Sequence, residues 1–196
     1  MSRKRLAAMF IPVVITITGA AFADNPASSR AATSEKAADR AAQLSENCSA
    51  LHAVNQWAVS ISEMADKRAK SDLVKGFARG IVTANPNADA KLLAIAKQHG
   101  IQVVPMDPQT EKGKSLLDRM NAETVLLSSL EGDAWDKEYM TLVTNTQQSV
   151  IHVLKTSKAL AKDQEVKQFM GESTTMVQNR LKTAQGIMAK VYGDEI

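Results

Sequence analysis

Apolar residues recur every three or four positions through most of the chain, which is the spacing of one face of an α-helix. Four long segments keep this spacing and are joined by short connections, with predicted bounds of 45–69, 72–98, 134–161 and 164–192. A shorter helix is predicted over 110–129. The pattern therefore predicts an all-α protein, a four-helix bundle made of two helical hairpins with an extra short helix between them.

Residues with special backbone preferences mark several helix ends. Gly100 follows the second helix and suits its C-cap. The prolines in the connection 101–108 favour an extended backbone there. Asp133 and Asp163 precede the last two helices and are expected to cap them. Asn85-Pro86 resembles an N-cap followed by the first helical residue, so we predict a kink or a restart of the second helix near 84–87.

A weak internal repeat supports the two-hairpin arrangement. The segments 69–77 and 161–169 share the pattern AK-x-x-x-VK-x-F. Each copy spans a predicted hairpin turn, with Ser71 or Asp163 in the N-cap position of the helix that follows.

The N-terminus has the pattern of an export signal. The basic segment 1–5 is followed by an apolar stretch of about 15 residues, too short to span a bilayer as a helix, which needs about 20. The stretch closes with Ala21-Phe22-Ala23, the small-x-small pattern of a cleavage site. We predict a signal peptide over 1–23, cleavage after Ala23, and a periplasmic or otherwise exported, soluble protein. The remaining predicted units are a flexible N-terminal segment 24–43, a bundle domain 44–192 and a tail 193–196.

Charge changes the picture once the signal peptide is considered. The whole chain has 24 basic and 21 acidic residues and a sequence pI of about 9.0. Three of the basic residues lie in the segment 1–23, so the predicted mature chain has 21 residues of each sign. A balanced, interspersed charge gives no electrostatic reason to expect a nucleic acid as partner.

Cys48 is the only cysteine, so an internal disulfide is impossible. A small buried side chain is the preferred interpretation. An intermolecular disulfide, joining two copies as a homodimer through Cys48, is the alternative.

The histidines do not form a metal-binding pattern in the sequence. His52, His99 and His152 lie on different predicted helices, and no Glu-x-x-His occurs, although ferritin-like di-metal sites use that spacing. Surface or capping roles are expected for all three. We therefore predict no metal site and no cofactor.

Three local patterns resemble a family of bacterial ferritin-like exported proteins, domain of unknown function 4142. They are Lys75-Gly76-Phe77-Ala78, the segment 92–105 with its LLAIA and Gly-Ile, and Gly132-Asp133-Ala134-Trp135-Asp136-Lys137-Glu138-Tyr139. The last resembles the family's G-x-x-F-D-x-x-Y, with Trp135 in place of phenylalanine. The resemblance runs over about 50–190 and implies a ferritin-like bundle. The family-motif residues are Phe77, Gly132, Trp135, Asp136 and Tyr139.

The chain departs from this family at three positions. The family usually has a histidine in each of three helices, and the aligned residues here are Asn85, Gln147 and Arg180. Asn and Gln are poor ligands for transition metals and Arg is none. We expect these three residues to form a polar hydrogen-bonded cluster inside the bundle, or alternatively to be ordinary, partly exposed residues.

No nucleophile, phosphate-loop or calcium-loop motif appears in the sequence. The preferred prediction is a non-enzymatic exported bundle with a binding or envelope-associated role. Two alternatives stay open: a metal-binding or redox ferritin-like protein, and a carrier of an apolar ligand in the bundle. The partner is unknown; an envelope protein is one candidate.

Overall fold

The computed structural model describes residues 26–193, with side chains from Ser34 onward. Within that range the chain is almost entirely helical and contains no strand, only an isolated bridge between Ala69 and Gly132. The helices are α1 (Pro26–Ser62), α2 (Ala65–Arg68), α3 (Asp72–Gln98), α4 (Glu111–Ser129), α5 (Gly132–Leu160) and α6 (Gln164–Tyr192).

Two antiparallel hairpins form the bundle. Helix α1 packs on α3, and α5 packs on α6. The hairpins join because α1 also contacts α5 and α3 contacts α6, while α4 lies outside this ring against α1 and α5. The predicted all-α bundle with an extra helix between two hairpins is therefore confirmed. None of the helices in 26–193 is long and apolar enough to cross a membrane.

The buried apolar side chains form two clusters along the bundle. One surrounds Trp135 and Tyr139, and the other surrounds Leu154 and Met170. The two copies of the internal repeat occupy the two hairpin turns, where Val74 and Val166 take equivalent buried positions. Asp163 caps α6 as predicted, because its Oδ1 accepts from the amides of Glu165 and Val166.

The first helix differs most from its prediction. It begins at Pro26, so the expected start at residue 45 is wrong, and residues of the segment 24–43 are helical from Pro26 onward. The side chains of 34–43 nevertheless bury little, and Arg40 donates to the carbonyl oxygens of Ala159 and Leu160 at 2.9 and 3.4 Å. The helix also ends early, at Ser62, where Met64 N bonds to Ile61 O in a tighter turn before α2.

Two smaller expectations about helix starts are wrong. Helix α5 begins at Gly132 with Glu131 in the N-cap position, and Asp133 pairs instead with the ammonium of Lys70 at 2.6 Å. Helix α3 does not restart at Pro86 but runs through it as one element. A bend at that point stays a prediction. The signal peptide and its cleavage site lie outside the described residues, as do residues 194–196, and the domain limits also stay predictions.

Candidate functional site

A groove of about 620 Å³ opens between α1, α4 and α5. Its wall is mostly apolar, and charged side chains stand among the lining residues. The apolar lining consists of Ala50, Leu51, Val54, Met106, Leu116, Val150 and Val153, and the charged lining of Glu46, Glu111, Lys112 and Arg119. We call this feature the α4 groove. Such a combination of volume and lining is typical of small-molecule sites.

Helix α4 forms one side of the groove and is attached to α1 at two places. Near its start, the Lys112 ammonium pairs with the Glu46 carboxylate at 2.7 Å. Towards its C-terminal half, the Trp57 indole N–H donates to the Thr124 hydroxyl at 2.9 Å. The groove was not predicted from the sequence, where its one signal is the mixture of charged residues and Leu116 on the first half of α4.

The three positions that depart from the family lie together inside the bundle. Asn85 comes from α3, Gln147 from α5 and Arg180 from α6, and all three line one cavity of about 40 Å³. The Arg180 Nη1 donates to Asn85 Oδ1 at 2.6 Å. Gln147 is 6% exposed, yet neither Oε1 nor Nε2 has a hydrogen-bond partner among the described residues. We call these residues the polar cluster.

The polar cluster carries a positive charge without a counter-charge. Arg180 forms no ion pair with any carboxylate among the described residues. Burial lowers the pKa of Arg180, and the nearby Tyr139 opposes this effect. Since a guanidinium stays charged in proteins, this arrangement leaves a partly buried cation whose one hydrogen bond to the described residues goes to a neutral amide.

The small cavity and the α4 groove are neighbours. Val54, Thr146 and Val150 line both of them. These three side chains of α1 and α5 therefore lie next to both spaces.

The family-motif residues hold the hairpins together. The rings of Trp135 and Tyr139 are stacked, with centroids 4.7 Å apart, and the Tyr139 hydroxyl bonds to Ser62 Oγ at 2.7 Å. Gly132 has φ of +62°, which favours glycine at the start of α5. Phe77 is half-buried and packs against the same core.

Asp136 has a separate role at the start of α3. Its carboxylate is fully buried and accepts from the backbone N–H groups of Lys70 and Ser71, at 3.2 and 2.7 Å. Ser71 occupies the N-cap position but forms no side-chain cap, so a carboxylate on α5 does this instead. Burial raises the pKa of Asp136, and the two backbone hydrogen bonds oppose the rise.

The three histidines do not form one common site: His52 and His99 face carboxylates on separate parts of the bundle, and His152 is exposed. His52 Nδ1 lies 2.8 Å from the Asp89 carboxylate. The ligand atoms of His99, Asp163 and Glu165 lie within 4.8 Å of one another, a grouping that the sequence analysis missed. The two nitrogens of His99 already face the two carboxylates at 3.4 and 3.0 Å, and Asp163 also caps α6, so this group is satisfied without a cation.

Cys48 is fully buried, as the preferred interpretation requires. Burial raises the pKa of its thiol to about 11, which suppresses the reactive thiolate. Burial of the thiol therefore disfavours the alternative interpretation, an intermolecular disulfide through Cys48.

Comparisons with known proteins identify relatives but no activity. Residues 27–187 match the family described as domain of unknown function 4142. Among solved structures, the fold is similar to a domain of unknown function 305 protein from Streptomyces coelicolor, provisionally described as secreted. The two are 17% identical with a TM-score of 0.60, over 77% of this chain and 93% of that one. A comparison with curated proteins gives no match.

Proposed function

This chain belongs to the family of domain of unknown function 4142, and we propose that it is a non-enzymatic protein that binds an amphipathic small molecule after export. The observation that carries the proposal is the α4 groove. Its volume of about 620 Å³ falls within the range of roughly 300–1,000 Å³ that small-molecule sites occupy. The basic segment, apolar stretch and Ala-x-Ala of residues 1–23 support export.

The lining of the groove favours an occupant with both apolar and polar parts. Leucine, valine, alanine and methionine side chains can cover an alkyl chain, and burial of apolar surface contributes about 25 cal/mol per Å². The charged residues Glu46, Lys112 and Arg119 keep the lining partly polar.

The same lining favours binding over catalysis. Glu46 is engaged with Lys112, and the Ser149 hydroxyl donates to the Asn145 carbonyl within its own helix. No lining residue pairs a nucleophile with a base as an acyl-transfer or hydrolytic site requires.

The metal-binding alternative is supported less well. The His99 grouping is the one set of three possible ligands found in the described residues, and its members already pair with one another.

Filling the groove should block binding. We expect Ala50→Phe to weaken binding of 1-decanol at least tenfold, because the ring would occupy space between α1 and α4 that the ligand needs. Isothermal titration calorimetry of the mature protein measures this. Ala38→Phe is the matched control, since Ala38 is exposed on the same helix and lines no part of the groove. Equal affinities of the two variants, or no binding by the unsubstituted protein, would contradict the proposal.

A further inference from the structure

The polar cluster has unused hydrogen-bonding capacity in a place that water reaches poorly. Both polar atoms of the Gln147 amide are buried and have no hydrogen-bond partner within residues 34–193, and Gln147 lines a cavity of about 40 Å³. An unsatisfied buried polar group costs about 1–3 kcal/mol. A group that enters the cavity and bonds to this amide would remove that cost.

The charge of the cluster specifies what kind of group fits. Arg180 uses Nη1 for Asn85, and its Nε and Nη2 form no hydrogen bond with the described residues. That pair of N–H groups forms one edge of the guanidinium, the edge that binds a planar carboxylate through two parallel hydrogen bonds. The site lacks a carboxylate of its own, because the neighbouring cluster members are the neutral amides Asn85 and Gln147.

The size and position of the cavity limit the anion further. A space of about 40 Å³ admits a group of a few heavy atoms but not a bulky head group. The groove that shares Val54, Thr146 and Val150 with it provides room for an attached alkyl chain.

We propose that the polar cluster is a carboxylate subsite, and that the ligand of the α4 groove is an alkyl carboxylate whose head group contacts Arg180 and Gln147. This inference rests on the proposed binding function of the groove. Arg180 supplies the charge, Gln147 Nε2 supplies a further donor, and Asn85 fixes the orientation of the guanidinium by accepting from Nη1.

The test compares decanoate with 1-decanol, which share the alkyl chain but differ in charge. Calorimetric titration of the mature protein should show decanoate binding at least tenfold more tightly. Gln147→Leu should lower decanoate affinity about tenfold and leave decanol affinity unchanged. This variant has nearly the same side-chain size and removes an unpartnered amide, so it should fold at least as stably.

Arg180→Gln is the second variant and should bring decanoate to the affinity of decanol. Arg79→Gln is its charge-matched control, because Arg79 is exposed and pairs with Asp66 outside the cluster. Equal binding of decanoate and decanol by the unsubstituted protein would overturn the carboxylate subsite while leaving the groove proposal intact. Binding of neither probe would overturn both. Unchanged decanoate preference in Gln147→Leu and Arg180→Gln would also overturn the subsite.

Discussion

Replacing Trp135 with alanine should lower the free energy of unfolding by about 3–5 kcal/mol, the range found when a buried aromatic ring is truncated. Trp135 is fully buried, and its ring stacks on Tyr139 with an interplanar angle of 13°. Its removal therefore leaves a cavity where both hairpins meet and also ends the stacking contact. Denaturant unfolding followed by circular dichroism measures the loss.

Trp135→Phe is the matched control for this substitution. The indole N–H of Trp135 has no acceptor among the described residues, so a phenyl ring keeps an aromatic partner for Tyr139 and removes an unsatisfied donor. We expect a loss below about 1.5 kcal/mol, as for other size-tolerant core changes. Losses of equal size for the two variants would show that the stack does not stabilise the bundle as described.

Asp136→Ala should lower the free energy of unfolding by about 2–4 kcal/mol. The substitution removes the acceptor of the Lys70 and Ser71 amides at the start of α3, and a lost cap costs up to about 2 kcal/mol. The N–H groups left without a partner are partly buried, which adds about 1–2 kcal/mol. Asp136→Asn keeps one acceptor oxygen and should lose less stability than Asp136→Ala.

Asp133→Ala is the control. Asp133 is exposed, so its substitution should change the free energy of unfolding by less than about 0.5 kcal/mol. A loss in Asp136→Ala no larger than in this control would contradict the capping role.

The same carboxyl should give the stability a definite dependence on pH. Burial raises the pKa of Asp136 in the folded state, so the protonated carboxyl favours the folded state over the unfolded state. This contribution to the stability is fully present below the unfolded-state pKa. That contribution is lost as the pH rises through the raised folded-state pKa. The stability of the unsubstituted protein relative to Asp136→Asn should therefore fall over the window that begins at about pH 4, the ordinary value for an aspartic acid, and extends upward. A difference that is flat or rises over this window would contradict the assigned shift.

Local signals allow much of the fold to be predicted. The bounds of α3 and α6 match their predictions, because each helix has a regular apolar stripe, and a clear N-cap or a glycine marks an end. The start of α1 could not be found in this way. Residues 26–43 have few large apolar side chains, but they continue the same helix as the buried face that starts at Leu44. Arg40 in this segment also contacts α5.

Pro86 shows how tertiary context overrides a local rule. Asn85-Pro86 is typical of a helix start, yet the helix continues through it. Asn85 is buried and accepts from Arg180 on α6 instead of capping its own helix, and Pro86 is exposed. A contact with a residue so distant in sequence has no local signature.

The candidate site was accessible to sequence reasoning only in part. Asn85, Gln147 and Arg180 could be named because each lies where the family usually has a histidine, and the structure brings Arg180 and Asn85 into contact. The α4 groove could not be named, because it depends on how α4 sits against α1 and α5. Only a few contacts between distant residues, such as Glu46 with Lys112 and Trp57 with Thr124, determine that position.

A crystal structure of the mature protein with 11-bromoundecanoate would test the binding account most directly, because anomalous scattering locates the bromine independently of any fitted ligand. The account predicts a bromine peak in the α4 groove, near Leu116 and Val153, with the carboxylate within hydrogen-bond distance of Arg180 and Gln147. A saturated protein with no bromine peak in that groove, or with the ligand bound elsewhere on the bundle, would contradict it.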